Sequence, residues 1–435
     1  MSAPSAPGAP TGPGFAGGSA EASAAIRVFV SMLLLYFMSQ FFRSTNAVVA
    51  PDLRADVGVS AADLGVITGA FFLAYAIMQV PSGVLLDRFG ARRTLVTLMG
   101  VPALGALVFA NAHSVWQLVL GQVLMGAGCA CGLMAAIVVF ARWFAPDRLA
   151  TFIALFSGLG NAGIILSATP LAAAVALVGW RWSFVGAAAV TVVLVAQVYL
   201  LVRDAPPGHP YHTRTPEPLG AIARGVREVL AERQMRPILA LAFVSLGLVL
   251  TVRALWGGPY LADVYGLGDI ERGNVLLLMT VFMLAGNVGF GPLDRLFDSR
   301  KRVVIGGAVL TALTLSALAA PPALSLWQAT ALLCLLGLVC NYVVVLLAHA
   351  RGLFPDRLVG RAVTLVNFAN FTGIATMQFA SGLIVGAFPG ANGSAAAEGY
   401  RALFGFLALL VVLGLLAYCR VRDVRPSSER GLARS

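Results

Sequence analysis

The sequence predicts an all-α integral membrane protein with twelve transmembrane helices in two parallel-repeat six-helix bundles. Three observations predict it. The composition is apolar with few charges, apolar stretches long enough to cross a bilayer recur along the chain, and two loop segments each occur twice at nearly one separation. A spanning helix needs about 20 predominantly apolar residues.

Of the 435 residues, 59% are hydrophobic and 11% charged, whereas a soluble domain carries about 25% charged residues. The mean hydropathy is +0.86. The formal charge of +11 is almost wholly arginine, Lys301 being the only lysine. These basic residues lie between apolar stretches and form no patch on a soluble domain. That argues against a nucleic-acid partner and for a lipid bilayer in which the loops set the orientation. The five cysteines, Cys129, Cys131, Cys334, Cys340 and Cys419, lie in or at the edge of apolar stretches without zinc-site spacing. They read as small packing residues. No nucleophile elbow, phosphate loop or metal-ligand cluster occurs, so neither an enzymatic role nor a cofactor is expected.

In chain order, residues 1–24 are rich in Ala, Pro, Gly and Ser and are expected to be a disordered tail. The first apolar stretch is too long for a cleaved signal peptide. Spans are expected at 28–50, 64–86, 94–112, 115–140, 151–177 and 182–202, then at 237–259, 273–294, 303–322, 324–348, 361–387 and 402–419. This gives bundles at 25–202 and 237–420, a linker at 203–236 with Pro206, Pro207, Pro210, Pro216 and Pro218 in its first half, and a tail at 421–435. With the N-terminus placed in the cytoplasm, the cytoplasmic loops and tails hold 24 Lys and Arg and the opposite loops 4. Such an asymmetry puts both termini on the cytoplasmic side of an inner membrane.

The chain repeats itself. Pro51-Asp52-Leu53 through Gly65 matches Pro259-Tyr260-Leu261 through Gly273, and Ala141-Arg142 through Leu149 matches Ala350-Arg351 through Leu358, at shifts of 208 and 209. Gly179-Trp180-Arg181 and Gly399-Tyr400-Arg401 echo at 220, as expected if the loop near 388–398 carries an insertion. Between spans two and three stands Gly83-Val84-Leu85-Leu86-Asp87-Arg88-Phe89-Gly90-Ala91-Arg92-Arg93, with a degraded copy, Gly291-Pro292-Leu293-Asp294-Arg295, between spans eight and nine. This resembles the G-x-L-x-D-R-x-G-R-R/K signature of the major facilitator superfamily, and the likeness covers residues 25–420. The resemblance implies a secondary carrier that works by alternating access of two rocking halves and functions as a monomer. It also implies a gate on the cytoplasmic face, in which Asp87 pairs with Arg142 or Arg148 beside Gly83, Arg88, Gly90, Arg92 and Arg93.

Apart from Asp294 and Arg361 at span ends, all acidic residues fall in loops or tails, and only two basic residues fall deep within spans: Arg43 in the first and Arg253 in the seventh. These spans are counterparts in the duplication, and both arginines lie slightly beyond the midplane. An arginine at that depth costs at least about 2.5–3.5 kcal/mol on insertion scales and is expected to face a cavity. With no embedded carboxylate to neutralise it, the expected partner is a small anionic solute held by bidentate bonds. The arrangement resembles the sugar-phosphate and organic-anion permeases of the superfamily. Asn46, Tyr75, Gln79, Asn161, Trp256 and Asn370 are expected to join the site, with Gln40, Asn341, Asn367 and Gln378 as further polar span residues. Each could equally form an interhelical hydrogen bond. His349, near the end of span ten, is a candidate for coupling, although a solvated helix-end role is the simpler expectation.

Rival readings are a proton-coupled drug or metabolite exporter, a ligand sensor of the permease type, and a metal importer. The glycine-rich fifth span, Gly158-Leu159-Gly160-Asn161-Ala162-Gly163, lacks the proline of the exporters' motif. Met279 and Met283 have no histidine at ligand spacing.

Overall fold

The computed structural model describes residues 19–144, 146–206, 219–320, 324–389 and 396–424. Eleven helical segments are long and apolar enough to cross a membrane. One of them, Thr151–Leu201, has 51 residues, about 75 Å if it ran straight at 1.5 Å per residue. It does not run straight. Gly179 has φ 80° and ψ 161°, nearly the backbone of Gly90 (φ 82°, ψ 163°), which separates Ala61–Phe89 from Ala91–Ala110. Only glycine adopts that conformation readily. The two arms on either side of Gly179 serve as the fifth and sixth spans, giving twelve.

The first span is Ser19–Phe42, a turn, and then Asn46–Val57, so the helix begins inside the stretch expected to be a tail. The second is Ala61–Phe89, capped by a reciprocal Ser60–Asp63 box, and the third is Ala91–Ala110. The fourth comprises Val115–Cys129 and Gly132–Trp143. The fifth comprises Pro146–Gly160, Ala162–Leu166 and the arm from Thr169. The linker, expected only as polar sequence, holds the helix Leu219–Ala231. The seventh span runs Met235–Thr251, a π-helical turn Val252–Trp256, and Gly257–Tyr265. Asp269–Leu296 and Arg300–Ala319 follow. The tenth is Leu326–Val339, a tight turn Cys340–Tyr342, and Val343–Gly352. Asp356–Gly386 and Ala397–Tyr418 complete the set.

Four of the interruptions follow the duplication, while the breaks in span five have no counterpart in the continuous span eleven. The breaks at 43–45 and 252–256 lie in counterpart spans one and seven, and those at 130–131 and 340–342 in counterparts four and ten. A broken ladder leaves backbone polar groups without partners. Inside a membrane this is tolerated only where protein or a water-lined cavity receives them. Four such breaks at mid-depth therefore mark where the interior is polar.

The ends of the described chain at Ser19 and Val424, the helix Leu219–Ala231 and the 2–3, 4–5, 8–9 and 10–11 turns share one end, the basic end. At the far end, Trp116, Trp182 and Trp327 are exposed, each within the first turn of spans four, six and ten. Exposed indoles at one level fit a membrane–water boundary. Cys129, Cys131, Cys334 and Cys340 are buried, as packing residues should be, while Cys419 is exposed.

The two bundles meet along spans two and eleven and, pseudo-symmetrically, along five and eight. Gly65 and Gly69 on span two lie against Gln378, Gly382 and Ala375 on span eleven, and Gly273 on span eight lies against Thr169 on span five. Thr169 Oγ1 donates to Asn274 Oδ1 at 2.9 Å. The seal therefore runs from the far end down to mid-depth.

Candidate functional site at the bundle interface

Arg43 stands where the first span leaves its helix. Its amide makes the last helical bond, to the Ser39 carbonyl, before the turn at 43–45. The guanidinium carbon lies 4.7 Å from the Tyr75 ring centroid and 5.2 Å from that of Phe371, and the two rings are 4.3 Å apart. Tyr75 is at the centre of Ala61–Phe89 and Phe371 at the centre of Asp356–Gly386, so one ring comes from each bundle at mid-depth. Ring faces carry negative potential and attract a cation. Arg43 is nevertheless half-buried, its Nε lacks a partner, and none of the described ion pairs includes it. The seal lies between it and the far end, and its side chain keeps partial exposure.

Arg253 occupies a different environment. Its side chain is wholly buried on the π-helical turn of the seventh span. Nε donates to Thr280 Oγ1 at 3.0 Å, and Nη2 crosses to the other bundle and donates to the Ile164 carbonyl, also at 3.0 Å. Nη1 has no partner. The two arginines were expected to face one cavity symmetrically. In this conformation Arg43 is reached by solvent and Arg253 is enclosed. Span one breaks through an open turn, span seven through a π-helical one.

The other expected residues separate into lining and packing. Gln40, one turn before Arg43, donates to Asn161 Oδ1 at 2.8 Å, and Asn161 sits at a break in the fifth span. Asn370 is buried with its Oδ1 unpaired, and Gln378 is fully buried with both amide atoms unpaired. Asn46 belongs to the N-terminal bundle's own core, donating to Thr68 Oγ1 at 3.1 Å and accepting from Gln122 Nε2 at 2.8 Å. Trp256 is fully buried and donates to Ser381 Oγ at 2.7 Å. Gln79 is buried, and Asn341 donates to the Gly337 carbonyl of its own span. Phe371 was not singled out because a phenylalanine in an apolar helix carries no signal. The buried orphans Ser44, Thr251 and Thr372 were missed because single hydroxyls are common in spans.

At the basic end, Gly90 supplies the turn, Gly83 is half-buried, and Arg88 and Arg93 are exposed, Arg88 lying 5.6 Å from the Phe89 ring centroid. The Asp87 side chain lies outside the described residues, and with it the expected pairing. Arg92 and Arg142 are anchored on the end of span six. The Arg92 amide donates to Asp204 Oδ1 at 2.6 Å and its guanidinium to the Tyr199 carbonyl. Arg142 Nη1 donates to the Asp204 carbonyl at 3.3 Å. Arg148 is exposed and has a partner. His349 is not solvated at a helix end but buried. Its Nε2 is 2.9 Å from the Arg422 carbonyl and its Nδ1 2.5 Å from the Tyr418 hydroxyl. A carbonyl only accepts, so Nε2 carries the proton and Nδ1 accepts from Tyr418 in the neutral ring.

The far end closes with an ion pair between bundles. Arg54 Nη1 is 3.1 Å from Asp263 Oδ2, which also accepts from the Tyr400 hydroxyl at 2.6 Å. Asp56 accepts from Trp180 Nε1 at 2.8 Å.

Two six-helix repeats around a polar mid-membrane interface, with a seal at one end, define a membrane transporter. The family model of the Major Facilitator Superfamily matches residues 32–299 and 259–435, and the chain belongs to that family. It is 31% identical over 177 residues to a probable L-galactonate transporter of Escherichia coli strain K12, a match spanning 40% of this chain and 39% of that protein. It is 26% identical over 314 residues to a putative tartrate transporter of Agrobacterium vitis, spanning 67% of this chain and 71% of that protein. It is 30% identical over 169 residues to a hexuronate transporter of Bacillus subtilis strain 168, spanning 36% of this chain and 37% of that protein. Among solved structures, a bacterial homologue of the human lysosomal transporter Spinster, inward-facing and unoccupied, superposes with a TM-score of 0.75 at 18% identity, covering 91% of this chain and 96% of that one. The nucleoside transporter NupG gives 0.72 at 12% identity, covering 92% and 100%.

Proposed function

We propose that the protein moves a small organic anion, a hydroxylated carboxylate, across the cytoplasmic membrane by alternating access, with Arg43 as its primary anion-binding group. The observation that carries this reading is the Arg43 guanidinium, held at mid-depth between one aromatic ring of each bundle, reached by solvent and paired with no carboxylate. An uncompensated cation in a membrane interior attracts an anion. The amides of Gln40, Asn161 and Asn370 supply partners for hydroxyl groups. Relatives whose names specify galactonate, tartrate and hexuronate support that substrate class.

The basic end is cytoplasmic on the charge asymmetry, so the present conformation is the inward-open one. Asp87 and the arginines around it are the proposed cytoplasmic gate for the opposite state. His349 is read as a strut between spans ten and twelve, since both ring nitrogens are engaged.

The test is uptake of radiolabelled tartrate and sugar acids into proteoliposomes, beside Arg43→Ala and Arg43→Lys. Uptake that vanishes in Arg43→Ala, with the protein still folded, supports the reading. Flux of a neutral or cationic drug that survives the substitution would favour an exporter; a 25%-identical relative is a quinolone resistance transporter of Acinetobacter baumannii. Anion binding without flux would favour a sensor.

A further inference from the structure

Arg253 is held by neutral groups only. The Ile164 carbonyl is open to it because the fifth span breaks there. In a continuous helix that carbonyl would take the amide of Ala168, but the Ala168 amide turns to the Ile165 carbonyl instead. Ile164 then accepts from Ser167 Oγ at 2.7 Å and from Arg253 Nη2 across the bundle interface at 3.0 Å. On its own side, Arg253 rests on Thr280, whose hydroxyl proton goes to the Leu276 carbonyl at 2.7 Å. The guanidinium is wholly buried and has no described carboxylate partner, and Nη1 has no acceptor. A buried charge with one donor unsatisfied is costly. It is held in place by the closed interface, not by a strong partner.

We infer that Arg253 is a latch between the bundles that the transported anion displaces. In the present state it ties span seven to the break in span five. When the bundles part at the far end, Ile164 withdraws and the Nη1–Nη2 edge faces the cavity beside Arg43. A carboxylate can then take both donors, a charge-assisted pair that outcompetes a single neutral carbonyl. Two consequences follow. The anion meets one free arginine from the basic end but two from the far end, so it binds more tightly from the far end. An empty carrier favours the latched state. This inference rests on the anion reading above for its second half, whereas the latch itself operates without any solute.

The experiment reads the latch first and the anion second. Spin labels are placed at His113→Cys and Ala387→Cys, exposed positions at the far end of the two bundles, in a Cys419→Ser background. Double electron–electron resonance then measures the far-end separation. Without solute, Arg253→Met should raise the open fraction at least threefold, and Thr280→Val, which removes only the contact within one bundle, should leave it unchanged. Arg253→Lys, whose long side chain carries an ammonium that can still donate toward Ile164, should stay closer to the parent, which guards against a variant that merely misfolds. An unchanged distribution in Arg253→Met overturns the latch, whatever the substrate proves to be. With the latch established, adding tartrate to the parent should lengthen the distance, and Arg253→Gln should lose that response. If tartrate and the sugar acids neither bind nor shift the distance while Arg253→Met still opens the far end, the latch stands and the substrate class is wrong.

Discussion

Asp204 and Asp423 make the same contact in the two halves of the molecule. Asp204, just past span six, accepts the Arg92 amide at the start of span three at 2.6 Å. Asp423, just past span twelve, accepts the Lys301 amide at the start of span nine at 3.0 Å and the Ser299 hydroxyl at 2.5 Å. Each closes a Val-Arg-Asp triplet, Val202–Asp204 and Val421–Asp423. In each, the carbonyl of the middle arginine is bound from the neighbouring span, by Trp143 Nε1 at 2.9 Å and by His349 Nε2 at 2.9 Å. A carboxylate at a helix N-terminus satisfies free amides and meets the positive end of the helix dipole. The pair fastens three helices of each bundle into a unit at the basic end, as rocking of rigid halves requires.

Removing either carboxylate should therefore loosen one bundle only. Asp204→Ala and Asp423→Ala are each expected to cost about 1 kcal/mol, the usual value of a lost N-terminal cap. The double variant should lose the sum, since the sites share no partner. Thermal unfolding in detergent measures this, and strong non-additivity would show that the two straps are coupled across the linker.

The far-end clamp makes a conformational prediction. Arg54 and Asp263 are only 14% and 10% exposed, so neutralising one leaves the other charge largely buried in the closed state. Asp263→Asn should favour opening at that end by about 2 kcal/mol, roughly a thirtyfold shift, toward the lower limit for a buried charge pair. The exchange of Arg54→Asp with Asp263→Arg should restore much of the closed population. The spin-label distance described above reads both, and an exchange no better than the single variants would mean that Tyr400, not the ion pair, closes this end.

His349 separates a strut from a proton carrier. Replacing it with phenylalanine leaves the Tyr418 hydroxyl and the Arg422 carbonyl without their partner, at about 1–3 kcal/mol for each group left buried. The expected result is lower thermal stability with the pH profile of uptake unmoved. A displaced pH profile in a stable His349→Phe protein would restore the coupling role.

How much of this was legible in the sequence depends on which force wrote each feature. Lipid imposes span length, so most spans could be placed to within a few residues, the first excepted, and the gap expected between 177 and 182 falls on the Gly179 turn. Charge depth was legible for the same reason, and Arg43 and Arg253 stood out. Their surroundings did not. The partner of Arg253 is the Ile164 carbonyl, a backbone group that every residue possesses, and its availability depends on a helix break whose one sequence mark, Pro170 in the first turn that follows, says nothing of which carbonyl is freed. The breaks at 43–45, 130–131, 252–256 and 340–342 contain no proline or glycine to announce a change of helix geometry. The repeated Val-Arg-Asp triplet was visible, but it sits just beyond the spans, where the linker and tail carry no periodicity to single it out.

Close backbone approach gives a paired prediction about where a methyl group can be tolerated. A Cβ at Gly65 would lie 2.5 Å from the Gln378 carbonyl oxygen, across the interface between bundles; one at Gly373 would lie 1.7 Å from the Phe243 carbonyl oxygen, inside the C-terminal bundle. Gly65→Ala should relieve its clash by parting the bundles, raising the open fraction at the far end with little change in melting temperature. Gly373→Ala has no such escape and should lower stability by about 1–3 kcal/mol or more, as overpacking does. Equal destabilisation by both would argue that the two halves do not move as separate bodies at this seam.

The aromatic pair around Arg43 should tune affinity without setting the charge. Tyr75 and Phe371 hold the guanidinium through their faces, an attraction of about 0.5–2 kcal/mol. Tyr75→Phe preserves a ring face and should leave anion affinity within about twofold of the parent. Tyr75→Leu removes the face and lets the arginine swing, so binding should weaken by roughly 3–30-fold, the same range expressed as an affinity ratio. Phe371→Leu should do the same from the opposite bundle, and because the two rings touch, the double variant should lose less than the sum. Calorimetric titration of the purified protein with tartrate measures all four. A Tyr75→Phe protein as weak as Tyr75→Leu would instead assign the phenolic hydroxyl a direct bond to the anion, moving Tyr75 from support of Arg43 to contact with the solute.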